Sequence, residues 1–168
     1  MLVLESLVEP RATDGTVRLM DGDDALVATV QAAIGVAFGT PGTAVGQAGT
    51  AERDAAAGSA DPTRLAFTRS VLRAGSSVLV GAFVDGVGAV GGGSHNPRGQ
   101  VSEMVGVGVL PAFRRRGLAA AMTHRLARQA LDNGVTTVFC GAEGGDVARV
   151  YEGVGFRRIG TTCMAGID

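Results

Sequence analysis

The chain contains no lysine; all fifteen of its basic residues are arginine. A lysine Schiff base and the lysine of a nucleotide P-loop are therefore excluded. Tryptophan is absent and the single tyrosine is Tyr151, so no aromatic cage for a bulky ammonium is visible. The two cysteines, Cys140 and Cys163, have neither metal-ligand spacing nor the arithmetic of a disulfide framework. Two small core residues in a reducing, cytoplasmic setting are expected of them. No apolar run reaches membrane-spanning length, and no cationic segment followed by an apolar stretch marks a signal peptide. Sixteen acids against fifteen bases leave a net charge of −1. That balance removes the broad positive field of a general nucleic-acid binder and confines any anion site to a local feature.

What is present suits one folded domain. At 168 residues and 46% hydrophobic content the chain is able to bury a sizeable core without metals or disulfides. Residues 1–15, with apolar Leu2, Leu4 and Leu7 ahead of Pro10 and Asp14-Gly15, predict a loose arm or an extra strand. The domain proper is expected over 16–168. TVRLM (16–20) predicts a strand, and the acids Asp21, Asp23 and Asp24 precede a helix ending at Gly39 and Pro41. From Thr40 to Pro62 the residues are mostly Gly, Ala, Thr and Ser. They suit a mobile or substrate-facing segment, or a tolerated insertion with some helix near 52–57. A helix follows through residue 74, with Leu65, Val71 and Leu72 on its apolar face and Gly75 as its stop.

Three apolar runs come next, SSVLVGAFV, GVGAVGGGS and QVSEMVGVGVL, separated by Asp85-Gly86 and by HNPRG. Asp-Gly between apolar runs is a strong hairpin signal, so an antiparallel meander is expected, with His95 in an exposed turn. A helix to about Asn133, the strand VTTVFCGAE, a short helix near DVARVYEGVG and a last strand FRRIGTTCM complete the order. The class is α/β, with an antiparallel half and a helix-covered half. Residues 86–91, GVGAVG, match the dinucleotide fingerprint literally. That fingerprint requires a helix to start there, and the GGSHNPRG that follows begins none. Its glycines instead suit a strand running close to another backbone or a ligand.

The densest positive charge, Arg114-Arg115-Arg116, lies where a strand ending at Leu110-Pro111 passes into a helix beginning with Gly117, Leu118, Ala119, Ala120 and Ala121. The first turn of a helix offers unpaired N–H groups and about half a positive charge. Glycine and alanine leave those amides bare, so the junction suits a phosphate or a diphosphate. The other reading of the arginine triplet is a solvated surface cluster.

Arg114-Arg115-Arg116-Gly117-Leu118-Ala119 resembles the R/Q-x-x-G-x-G/A signature of the GNAT superfamily of N-acetyltransferases. Val107-Gly108-Val109-Leu110-Pro111 and Tyr151-Glu152-Gly153-Val154-Gly155-Phe156 are similar to two further segments of that family, in the same order. The resemblance covers about residues 16–164. It implies a single mixed, mostly antiparallel sheet flanked by helices, in which the strand before Pro111 splays from the strand VTTVFCGAE. It further implies acetyl-CoA (coenzyme A) as cofactor, its pantetheine arm on the main chain of Val107, Gly108 and Val109. The diphosphate would then meet the amides of Arg115, Arg116, Gly117, Leu118, Ala119 and Ala120.

Tyr151 stands where the family keeps its general acid, and a phenol of pKa about 10 holds its proton at neutral pH. The structural alternative is a packed, hydrogen-bonded tyrosine. Glu103, flanked by Met104 and Val105, is the first candidate base, through partial desolvation; a solubilising edge charge is its other reading. His95 is a second candidate base, whereas His124 and Glu143 read as surface residues. The implied activity is N-acetylation of a small-molecule or peptide amine by direct attack, with no nucleic-acid or membrane partner. A non-catalytic acyl-CoA-binding sensor or scaffold is the alternative. Two departures from the family stand out: Gly144 where it often has an asparagine, with Asp146 nearby, and one closing strand where it has a hairpin. Residues 2–7, or a second subunit in a homodimer, are expected to supply the missing strand.

Overall fold

The three apolar runs of residues 78–109 become the centre of a sheet. β-Branched residues at alternate positions suit a pleated surface with both faces covered. The computed structural model describes residues 1–161, so Cys163 and the end of the expected last strand lie outside the described residues. In chain order the strands are β1 (Leu2–Leu4), β2 (Thr16–Met20), β3 (Val78–Val84), β4 (Gly88–Arg98), β5 (Val101–Val109), β6 (Thr137–Cys140) and β7 (Phe156–Arg158). The helices are α1 (Val27–Phe38), α2 (Thr50–Gly58), α3 (Pro62–Arg73), α4 (Leu118–Asp132) and α5 (Gly145–Glu152), with a 3-10 turn at Pro111–Phe113. One seven-stranded sheet runs β2-β3-β4-β5-β6-β1-β7. Every neighbouring pair is antiparallel except β5 and β6. No helix among the described residues is long and apolar enough to cross a membrane.

The main core lies under α4. Leu118, Met122, Leu126 and Ala130 recur at helical spacing and are buried against Val80, Ala82, Val90, Met104 and Val109 of the sheet. The opposite face carries α1, whose Val27 and Val30 join Met20, Leu79 and Ala89 in a second cluster. The glycine run of β4 makes this packing possible. A Cβ at Gly91 would stand 2.6 Å from the Gly108 oxygen, and one at Gly92 would stand 2.5 Å from Val30 Cγ1. These glycines are sites of close approach, as the failed dinucleotide motif suggested, and no helix follows them.

One sequence expectation is corrected here and another is borne out. HNPRG is not a turn, because β4 continues through His95, Asn96, Pro97 and Arg98, all paired with β5. The partnership with β3 ends at His95. Beyond it β4 has a neighbour on one side only, the setting in which a sheet tolerates proline. The stretch from Thr40 to Pro62 holds helix near 52–57, as one of its two readings had it. It carries α2, whose buried Arg53 donates to the carbonyls of Val87 (3.2 Å) and Ala89 (2.6 Å).

The amino-terminal residues occupy an interior position. β1 lies between β6 and β7, with Leu2 opposite Cys140 on one side and Arg158 on the other. The chain then passes α5, where the amides of Glu5 and Val8 donate to Gly155 (3.0 Å) and Val154 (3.0 Å). Gly155 has φ of +103°, and a Cβ there would sit 1.8 Å from the Ser6 oxygen. Replacing Gly155 with alanine is therefore expected to destabilise the fold by at least about 2 kcal/mol, through backbone strain and overpacking together. Leu2→Ala should remove about 2–5 kcal/mol in urea unfolding. Unchanged midpoints for both variants would show that the first eight residues are not part of the folded sheet.

Candidate functional site

Pairing between β5 and β6 lasts four rungs, from Val101 opposite Thr137 to Met104 opposite Cys140. There β6 ends, while β5 runs on to Val109. A bulge diverts it: Ser94 faces Val105 and Gly92 faces Gly108, so Gly106 and Val107 together oppose Gly93. Gly106 has φ of +66°. A bulge of this kind bends and twists the strand that carries it. On the side away from β4, Val105–Val109 has no strand partner among the described residues. A free main-chain edge thus opens from an apex at Met104 and Cys140.

The 3-10 turn and the arginine triplet follow this edge. Arg114 is half-buried and engaged: it donates to the carbonyls of Val109 (3.2 Å), Ala44 (3.1 Å), Ala37 (2.8 Å) and Thr40 (2.6 Å). It binds the end of β5 to the carboxyl end of α1, whose last carbonyls need donors. Arg115 has φ of +67° and Gly117 φ of +78°, and both are exposed. The first main-chain bond of α4 in this turn runs from Ala121 to Gly117 (3.0 Å). No side chain among the described residues caps the helix, and the amides of Leu118, Ala119 and Ala120 lie at its open end. Arg116 stacks on Phe113 (5.1 Å) and approaches Asp14 (3.3 Å).

Two connecting segments frame the gap. Thr43 donates its amide and its hydroxyl, both at 3.0 Å, to Asp146 in the first turn of α5. The Thr43 hydroxyl and then the Val147 amide hold the Asp146 carboxyl below the usual carboxylate range. Gly46 donates to Pro111 (3.1 Å), and Ala112 donates to Ala48 (3.0 Å). Residues 40–49 are therefore fastened from α1 to α5 and along the 3-10 turn, and the mobility expected of them is not what the contacts describe. Near the end of α4, a Cβ on Gly117 would lie 3.7 Å from Thr13 and 3.9 Å from Ala12.

Tyr151 and Glu103 flank the apex from opposite faces. Tyr151 is buried in the cluster that holds Met104 and Cys140, with its ring edge-on to Phe156 at 5.7 Å. Burial pushes its phenol well above the ordinary value, with Cys140 adding to the effect. Burial also pushes the Cys140 thiol up to about 12. Among the described residues the tyrosine hydroxyl has no hydrogen-bond partner. Glu103 is exposed on the other face, opposite Asn96 and Phe139. The desolvation expected for it is absent, because strand alternation turns Met104 to the far side. On the same face Asn96, Arg98, Val101, Glu103 and Phe139 line a cavity of about 300 Å³.

Sequence reasoning missed Arg114 as a brace, the Thr43–Asp146 bonds, and the approach of residues 11–14 to the end of α4. The charge-dense triplet marked the right place for Arg114. No local pattern joins Thr43 to a carboxylate 103 residues away.

Comparison with known proteins adds independent findings. Residues 46–156 match the family described as Acetyltransferase (GNAT) family. No curated protein matches the chain. Among solved structures it is similar to an aminoglycoside acetyltransferase from an uncultured soil metagenomic sample, at 19% identity and a TM-score of 0.68 over 92% of this chain and 99% of that one. It is also similar to the aminoglycoside N-acetyltransferase AAC(6')-Iy in complex with CoA, at 20% identity and a TM-score of 0.63 over 95% of this chain and 99% of that one. Glucosamine-6-phosphate N-acetyltransferase from Arabidopsis thaliana gives 15% identity and a TM-score of 0.63, covering 92% and 99% of the two chains. These structures share the single mixed sheet with flanking helices.

His95, expected in an exposed turn, is 1% exposed within β4. Its Nδ1 pairs with Ser102 Oγ at 2.7 Å and its Nε2 with Gln129 Oε1 at 2.6 Å. It ties the sheet to α4, and both ring nitrogens are already engaged. Burial lowers its pKa, partly opposed by the Gln129 bond. Above the unfolded-state value of about 6.5 both states are neutral and the full stability is present. As pH falls below that value the unfolded chain takes the proton first, so stability is lost. Urea midpoints should therefore decline from about pH 6.5 downward, and less steeply in His95→Gln than in the parent. Equal declines in the two proteins would exclude His95 as the source.

Proposed function

The chain belongs to the GNAT family of acetyltransferases, and on that premise we propose that it transfers an acetyl group from acetyl-CoA to a primary amine by direct attack. The observation that carries this reading is the apex at Met104 and Cys140, open along one strand edge and flanked by Tyr151 on one face and Glu103 on the other. Acetyl-CoA supplies the acyl group as a thioester. The residues fit such a donor: an unpaired strand edge takes an extended amide chain as an added strand would be taken. The exposed Gly117 and small Ala119 and Ala120 leave amides bare for a diphosphate.

In this reading the main chain of Val107, Gly108 and Val109 holds the pantetheine amides. The amides of Arg115, Arg116, Gly117, Leu118, Ala119 and Ala120 hold the diphosphate. Arg114 keeps this edge and α1 in fixed relation, so its charge is spent on carbonyls rather than on phosphate. Glu103, in contact with water, accepts the proton of the incoming ammonium directly or through one water molecule. The free amine then forms its N–C bond as the C–S bond breaks. Tyr151, kept protonated by burial and without another hydrogen-bond partner among the described residues, gives its proton to the departing sulfur, and the second proton shed by the acylated nitrogen restores the phenol. Neither step uses Cys140, which lies wholly buried and protonated at neutral pH.

Thiol release from acetyl-CoA with a panel of amines tests the reading. Tyr151→Phe should lower kcat by about 10²–10⁴-fold, the contribution typical of a positioned acid, while the affinity for CoA in calorimetry stays within about twofold. Ala120→Glu should weaken CoA at least tenfold by placing a negative charge at the seat, without altering the melting temperature. Binding of acetyl-CoA with no turnover on any amine would favour the sensor or scaffold instead. No heat and no thermal shift with CoA would end the assignment of the seat.

A further inference from the structure

The cavity beside Glu103 carries both signs of charge. Arg98 faces Val101 across the hairpin, Asn96 faces Glu103, and Glu103 faces Phe139, so the lining residues share one face of three adjacent strands. Arg98 and Glu103 are diagonal cross-strand neighbours, within mutual reach of long side chains. They nevertheless form no ion pair with each other or with any other described residue. The guanidinium of Arg98 donates through Nη1 to Pro97 (2.9 Å) and, at 3.4 Å, to Ser76. Nη2 and Nε have no partner among the described residues. No other basic residue lines the cavity, and Val101 and Phe139 supply its apolar floor.

From this arrangement we infer that the acceptor is a small amino carboxylate: a molecule bearing a carboxylate close to the amine that is acetylated, with an α-amino acid as the simplest case. The inference rests on the acetyltransferase reading above and adds the substrate class of that same site. The ammonium lies against Glu103, at the rung next to the apex, and gives up its proton there. The carboxylate lies against the free Nε–Nη2 edge of the Arg98 guanidinium, whose planar fork matches two carboxylate oxygens. Asn96 offers an amide between them, and an apolar side chain covers Val101 and Phe139. An amine without a carboxylate satisfies Glu103 but leaves the arginine fork unmatched. A dicarboxylate monoamine places its second negative charge where the cavity has no second cation.

The test compares L-leucine with 3-methylbutylamine, the same skeleton without the carboxylate, in thiol release with acetyl-CoA. The parent protein should prefer L-leucine by at least tenfold in kcat/KM. Arg98→Gln should reduce that preference at least tenfold through KM, and Arg98→Lys should restore part of it. A parent that acetylates 3-methylbutylamine as well as L-leucine, with the ratio unmoved in Arg98→Gln, would overturn the inference and leave the acetyltransferase reading standing. Thiol release with neither compound, nor with any amine of the panel, while CoA binds, would overturn both. Circular dichroism of the two variants serves as the folding control, and a variant that misfolds is replaced by Asn96→Ala, expected to weaken L-leucine selectively.

Discussion

The interruption of one strand pairing governs this molecule. A parallel rung pattern that continued past Met104 and Cys140 would close the sheet and satisfy every main-chain group of β5. The bulge at Gly106 and Val107 prevents it by bending β5 toward β4, where Gly91 and Gly93 leave room for its approach. Gly92, between them, admits α1 close to the sheet. An open edge, a helix end beside it and an accessible cavity near its apex all follow from that diversion. The fold retains the opening because β6, β1 and β7 continue the sheet beyond it.

The exclusive use of arginine has a structural counterpart. Arg114 serves four carbonyls from three chain segments at once, and Arg53 serves two carbonyls as well as the neighbouring Asp54. A guanidinium presents five donors in a rigid plane, and a lysine ammonium would meet fewer of these acceptors in fixed directions. Burial lowers the Arg114 pKa but leaves it charged at any physiological pH. In both places arginine replaces the main-chain partners that glycine- and alanine-rich segments lack in their side chains.

Much of the fold was legible where local physics decides. Asp85-Gly86 between apolar runs fixed the β3–β4 hairpin, helical periodicity with a following glycine bounded α3 and α4, and charge density beside bare backbone marked the open end of α4. Other features were not legible because they depend on partners far along the chain. His95 read as a turn residue from its Asn-Pro neighbours, and only the absence of β3 beyond it explains why a proline fits there. Glu103 read as enclosed from its sequence neighbours, yet alternation along the strand exposes it. The fastening of residues 40–49 depends on Pro111, Arg114 and Asp146, none of which their composition announces. The missing strand was legible only as a vacancy at the sheet edge, with residues 2–7 one of two ways to fill it, whereas β1 lies inside the sheet between β6 and β7.

The position of β1 has a bearing on synthesis. Leu2–Leu4 leave the ribosome long before their partners, which are Phe139 and Cys140 on one side and Phe156–Arg158 on the other. At ordinary elongation rates that interval is roughly 10–30 s, long compared with hairpin formation. The meander of β3, β4 and β5 is therefore complete while the first strand still waits, and the far half of the sheet closes last. A waiting strand of three residues offers little edge for a wrong partner, and its brevity protects the nascent chain as much as it shapes the finished one.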